Sequence, residues 1–167
     1  MDNDHVAQPR SEVSWASSAA VRKSMQGNRR RDTAPEMAVR RLVHAAGLRY
    51  RVDYAPLPEM PRRKADLVFT RAKVAVFIDG CFWHGCPEHR QVPKTNAQFW
   101  SDKIATNQAR DMDMDRSLTD SGWTVIRCWE HEDPFVVASA VADAVGRGER
   151  QNARDSDRDR CVLADRT

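Results

Sequence analysis

Between Phe77 and His89 the chain reads FIDGCFWHGCPEH, so two cysteines, two histidines, two acids and an adjacent Phe-Trp pair share one short stretch. Cys81, Cys86 and His89 are the ligand types of a tetrahedral zinc site, at the spacing C-x4-C-x2-H. Three close ligands call for a fourth from elsewhere. The downstream segment IRCWEHED offers Cys128 and His131. Alternation along a strand puts Cys128 on the face of Ile126, where a small buried hydrophobe belongs, whereas His131 falls where the strand gives way to a loop. His131 is the preferred ligand. Such a set ties the loop to the end of a distant strand, which suits a structural metal. His84 is then left over between two ligands. Its ordinary pKa of about 6.5 suits a proton acceptor near neutrality.

Acids extend the chemistry. Asp66 opens the run KADLVF, Asp79 closes the next run, and Glu36 lies in a helix start further upstream. Gathered with His84 at one sheet edge, they make an oxygen-rich site fit for Mg2+ rather than zinc. Phosphodiester hydrolysis needs such a cation, plus a base to activate water. Two of these acids also have a plainer role: a strand-end cap for Asp66, a helix-dipole partner for Glu36. Phe82 and Trp83 can form an apolar wedge of the kind that unstacks DNA bases. The alternative is one ring buried and the other covering the Cys/His loop.

These residues need elements to position them. DTAPEMAVRRLVHAAG predicts a helix capped by Asp32 or Thr33, with Pro35 in its first turn and Gly47 as its stop. A short helix is expected around Ala19 to Met25. KADLVFT (64–70) and KVAVFIDG (73–80) read as strands joined through Arg71 and Ala72. A long helix is expected over about Asn96 to Thr119, a core strand at WTVIRCW (123–129), and a last helix from Pro134 to Val145. Strands mixed with flanking helices indicate an α/β fold with a central mixed sheet.

The chain has 167 residues, 41% of them hydrophobic and 31% charged, with net charge +3. That fits one domain, expected over 18–146 with a basic arm at 18–32, between a disordered lead (1–17) and a disordered charged tail (147–167). The arm VRKSMQGNRRR carries five basic side chains and no acid, so it either attracts phosphates or is simply a solvated arm. No membrane span and no secretory signal are evident. The expectation is a cytoplasmic monomer with reduced cysteines.

Taken in order, RKSMQGNRRRDTAPE, GLRYRVDYAPLPEMPRRKADLVF, VAVFIDGCFWHGCPEH, TNAQFWSDKIATNQARD and GWTVIRCWEHE resemble the very-short-patch repair (Vsr) endonucleases, from about Val21 to His131. The resemblance implies a restriction-endonuclease-like fold of the PD-(D/E)xK superfamily with a structural zinc. It also implies Mg2+-dependent nicking of double-stranded DNA beside a T:G mismatch, the product of 5-methylcytosine deamination. By the same resemblance, Asp66 binds Mg2+, His84 is the general base and Glu36 organises the metal's water shell. Phe82 and Trp83 intercalate, and Met25 wedges in from the other groove. Cys81 and Cys86 match zinc-ligand positions, and His131 stands where the family pattern has a cysteine.

Four positions depart from that pattern. Asp79 replaces a histidine that assists at the metal, and can accept hydrogen bonds from metal-bound water. Ala65 replaces a proline, Asn28 an apolar residue, and Glu88 stands near an expected zinc ligand, with His89 next to it. Arg22, Lys23, Arg29, Arg30 and Lys94, with Lys103 and Arg110, are expected to meet backbone phosphates. Two rival readings remain: a nuclease of the same fold without mismatch preference, and a non-catalytic zinc module that binds DNA.

Overall fold

The computed structural model describes residues 31–89 and 96–164, with side chains described as far as residue 154. The chain divides into two units, Met1–Arg30 and Arg31–Thr167, and the second is described here. Arg22, Lys23, Met25, Arg29, Arg30 and Lys94 lie outside the described residues, as do the expected N-terminal lead and its short helix.

Thr33 starts helix α1 (Ala34–Ala45), its side chain accepting from the Glu36 N–H. Glu36 answers in the manner of a capping box: Oε1 accepts from Thr33 Oγ1 at 3.0 Å and Oε2 from the Asp32 N–H at 2.8 Å. Strand β1 (Arg51–Tyr54) follows, a short element that sequence patterning did not single out because its side chains are half-buried or exposed throughout. Strands β2 (Ala65–Phe69) and β3 (Val74–Asp79) then form the expected antiparallel pair. A helical turn, α2 (Cys81–His84), leads through the Cys/His loop to helix α3 (Ala97–Asp120). Strand β4 (Thr124–Trp129) and helix α4 (Pro134–Ala164) complete the described order.

The sheet runs β1-β2-β3-β4. β1 and β3 flank β2 antiparallel, while β4 joins β3 in parallel, its crossover being α3. This is a mixed α/β fold with helices on both faces. Val39 and Val43 of α1 and Val137, Val141 and Val145 of α4 pack with Leu67, Val74 and Val76 on one face. Met114 and Leu118 of α3 pack with Val68, Ala75 and Phe77 on the other. β3 is covered on both sides, which is why VAVF reads as an unbroken apolar run.

The last helix corrects the expected end at Val145 and a tail without structure from 147. It runs on to Ala164. Gly146 and Gly148 look like breakers in sequence, but Gly148 is where the helix backbone meets the β2–β3 turn, since a Cβ there would collide with the Ala72 carbonyl. One turn later, Asn152 donates to the Arg71 carbonyl. A charged segment without apolar periodicity is thus held by backbone contact that patterning does not record. None of the described helices is long and apolar enough to cross a membrane.

Candidate active site

β3 ends at Asp79, and Gly80 begins the turn α2 that carries Cys81, Phe82, Trp83 and His84. Glu130, just beyond β4, accepts from the Cys81 N–H at 2.7 Å, while its own N–H donates to the Asp79 carbonyl. The two strand ends are therefore stitched where the loop departs. Gly85 closes the turn at φ 68°, and a Cβ there would fall 2.8 Å from Ile104 and 2.9 Å from Gln108. Only glycine allows both that backbone and that closeness to α3. α3 then grips the turn: Asn107 donates to the Trp83 carbonyl at 2.8 Å and Gln108 to the His84 carbonyl at 3.1 Å.

The helical turn changes the aromatic pair. On an extended backbone Phe82 and Trp83 would point apart, but here their rings meet edge-on at 5.1 Å. Both also pack against Trp100 of α3, at 5.3 and 6.0 Å, with Phe99 at 5.3 Å from Trp100. Trp100 is the buried base of this cluster. Phe82 and Trp83 themselves are half-buried.

Ligand atoms of Cys81, Cys86, His89 and His131 all lie within 4.8 Å of one another. His131 Nδ1 is 3.0 Å from Cys81 Sγ and 3.9 Å from Cys86 Sγ, and His89 Nδ1 is 3.9 and 3.8 Å from the same sulfurs. Glu88 takes no place in the set but sits 3.3 Å from His131 Nε2. Cys128 is buried elsewhere, its thiol directed at the Phe77 carbonyl, and burial pushes it up to about 12. Burial, with Cys86 and Glu130 adding to it, also raises the Cys81 thiol to about 11.

Asp66 lies on β2 beside β3, and its Oδ2 accepts from the Ile78 N–H at 2.7 Å. Burial raises it to about 6; that bond opposes the shift, and the charges of Glu36 and Asp79 add to it. Such a carboxyl, short of counter-charge, is primed to take a cation. Glu36 reaches Asp66 only through its field, its oxygens being committed to the helix cap.

His84 is brought to a different acid from those expected. Its Nδ1 lies 2.6 Å from Asp111 of α3 and 3.6 Å from Asp79. Burial would lower His84, but the Asp111 bond and the Asp79 charge outweigh it and the net shift is upward. With Nδ1 held by a carboxylate, Nε2 is the nitrogen able to accept a proton. Asp79, in turn, accepts from Arg127 Nη1 with both oxygens, at 2.8 and 2.7 Å. Asp111 and Arg127 were missed in the sequence. The signals available were the i,i+4 pair Asp111 and Asp115 on α3 and a lone arginine inside the apolar strand TVIRCW.

A half-buried acid that feels the charge of Asp79, and a carboxylate-held histidine 3.6 Å from that same Asp79 on the turn that carries the aromatic pair, are equipment for hydrolysis at an anionic, base-bearing substrate. The comparisons with known proteins agree. The family described as DNA mismatch endonuclease Vsr matches residues 16–90. The type II nicking enzyme V.NaeI of Lentzea aerocolonigenes is 48% identical over 124 residues, 74% of this chain and 75% of that protein. The type II nicking enzyme V.XorIIP of Xanthomonas oryzae pv. oryzae is 41% identical over 110 residues, 65% of this chain and 77% of that one. The DNA mismatch endonuclease Vsr of Escherichia coli K12 is 37% identical over 112 residues, 65% and 67% of the two chains. The molecule is a DNA nicking endonuclease. Within that class, the chain belongs to the Vsr family.

Proposed function

We propose that this protein nicks double-stranded DNA beside a T:G mismatch, in the cytoplasm and as a monomer, with Mg2+ at the reaction centre and zinc as a structural ion. The observation that carries the reading is the histidine of the aromatic turn, held at 2.6 Å by Asp111 and standing 3.6 Å from Asp79, whose charge also acts on the half-buried carboxylate Asp66. Asp66 would hold Mg2+, which when bound supplies positive charge against the scissile phosphate. His84 Nε2 takes the proton of the attacking water, and Asp111 stabilises the imidazolium that results. Phe82 and Trp83, backed by Trp100, offer flat apolar surface to bases unstacked at the weak pair. Glu36 adds negative potential at Asp66, and Met25 with the basic arm and Lys94 is assigned to DNA contact. A mixed sheet with its acid on the second strand of an antiparallel pair is compatible with the restriction-endonuclease-like PD-(D/E)xK fold.

The donor set fits zinc. A tetrahedral ion bonded at about 2.0–2.3 Å holds its ligands roughly 3.5 Å apart, and the sulfur–nitrogen distances here run from 3.0 to 3.9 Å. Cys81, Cys86, His89 and His131 would hold it, and the ion would offset the cost of ionising the raised Cys81 thiol.

A second reading has its own support. Two close relatives carry the name type II nicking enzyme, which favours nicking tied to a recognition sequence rather than to a mismatch alone. One experiment separates the two: nicking of matched and T:G duplexes with Mg2+ by the wild type, Asp66→Ala and His84→Ala. The expected result is preference for the T:G duplex and loss of nicking in both variants. Equal nicking of both duplexes would replace the mismatch reading with the sequence-directed one, and normal nicking by Asp66→Ala would overturn both.

A further inference from the structure

Arg127 has no part in the function described so far, yet more of the site converges on it than on any other described side chain. It sits on β4 in register with Phe77 of β3, and its guanidinium lies over the Phe77 ring at 4.5 Å. From there Nη1 donates to both oxygens of Asp79, at 2.8 and 2.7 Å, and stands 3.5 Å from Asp111 Oδ1. Nη2 and Nε donate to Asp115 at 2.9 and 3.2 Å. His84 Nδ1 lies between two of these acids, 2.6 Å from Asp111 and 3.6 Å from Asp79.

Both carboxylates flanking His84 are thus held by one guanidinium. Asp79 is only 5% exposed and cannot rely on water for counter-charge. Asp111 and Asp115 stand one helical turn apart and repel each other unless a cation lies between them. A planar fork seated on a ring serves all three acids at fixed angles, which a flexible ammonium cannot do.

We infer that Arg127 is the positioning residue of the nuclease centre: it fixes the two carboxylates between which His84 sits, and by occupying Asp79 it leaves Asp66 as the acid for Mg2+. The consequence for nicking rests on the assignment of His84 and Asp66 in the proposed function, while the placement of His84 can be read without it.

The test compares Arg127→Lys, Arg127→Met and the double variant Asp79→Asn/Arg127→Met in the full chain. Imidazole nitrogen signals of His84 at one pH report its position independently of activity. Single-turnover nicking at saturating DNA, DNA affinity in Ca2+ and thermal stability complete the set. Arg127→Lys should move the His84 signals and slow nicking about tenfold or more, with DNA affinity changed less than roughly threefold. The double variant should recover the thermal stability lost in Arg127→Met but not the rate, because Asp111 stays unheld. Unmoved His84 signals in the folded variants, or wild-type nicking by the double variant, would overturn the inference and reduce Arg127 to a counter-ion for Asp79. Should Arg127→Met fail to fold, the lysine and double variants still decide. If His84→Ala nicks normally, the functional assignment falls, whereas shifted His84 signals still report the positioning.

Discussion

Two clusters of metal-capable side chains leave the same strand end and are built on opposite chemistry. Cys81, Cys86, His89 and His131 bring soft donors together. Asp79, His84 and Asp111 lie equally close together, but a guanidinium already serves both of those acids. On the proposed reading, the first set is completed by an ion. In the second, Arg127 offsets part of the burial cost of Asp79, which still lies above its ordinary value, and Asp66 nearby is raised to about 6. Closeness of ligand atoms therefore does not make a metal site; the uncompensated charge does.

The harshest way to break the comparison is Cys86→Ser. It should abolish tight zinc binding and destabilise the fold by about 4 kcal/mol or more, the class of effect seen when a structural metal is lost. Metal content and denaturant melts check this; an unchanged melt would remove the structural role. Asp66→Asn should behave in the reverse sense. Nicking falls by about a thousandfold, yet the apoprotein melts higher at pH 7.5, because raising the carboxyl from 3.8 to about 6 corresponds to roughly 3 kcal/mol against its ionised form.

The sign of that shift also sets a pH dependence. Between about 3.8 and 6 the folded chain binds more protons than the unfolded one at Asp66, so this group's support for the fold is lost as pH rises through that window. Nicking should show the opposite trend, falling as pH drops through about 6, and higher Mg2+ should move the acid limb to lower pH because ion and proton compete for one carboxylate. An acid limb indifferent to Mg2+ would detach it from Asp66. Asp111→Asn tests the second cluster next. A loss of about a hundredfold in single-turnover rate is expected, with DNA affinity intact, since the amide cannot stabilise the imidazolium.

The smallest expected effect lies far from both clusters. Gly148→Ala pushes a Cβ into the Ala72 carbonyl, and should cost about 1–3 kcal/mol while leaving the rate per folded molecule unchanged. A change in rate without one in stability would mean that the β2–β3 turn communicates with the site.

Much was legible in the chain itself. Three of the four residues of the Cys/His cluster fall between Cys81 and His89, so local geometry alone brings them close, and strand alternation favoured His131 over Cys128. The helix capped by Thr33 and the strand pair 65–69 and 74–79 followed from capping chemistry and apolar runs, which are local properties. The motifs carried the family. What only the tertiary structure decided is who partners the reactive groups. Asp111 is separated from His84 by 27 positions and Arg127 from Asp79 by 48, so no periodicity links them. Docking of α3 against the loop and the parallel pairing of β3 with β4 make those contacts, and burial at that junction then shifts the acids. Residue types and their local order are written along the chain, but charge balance depends on neighbours brought together from distant parts of it.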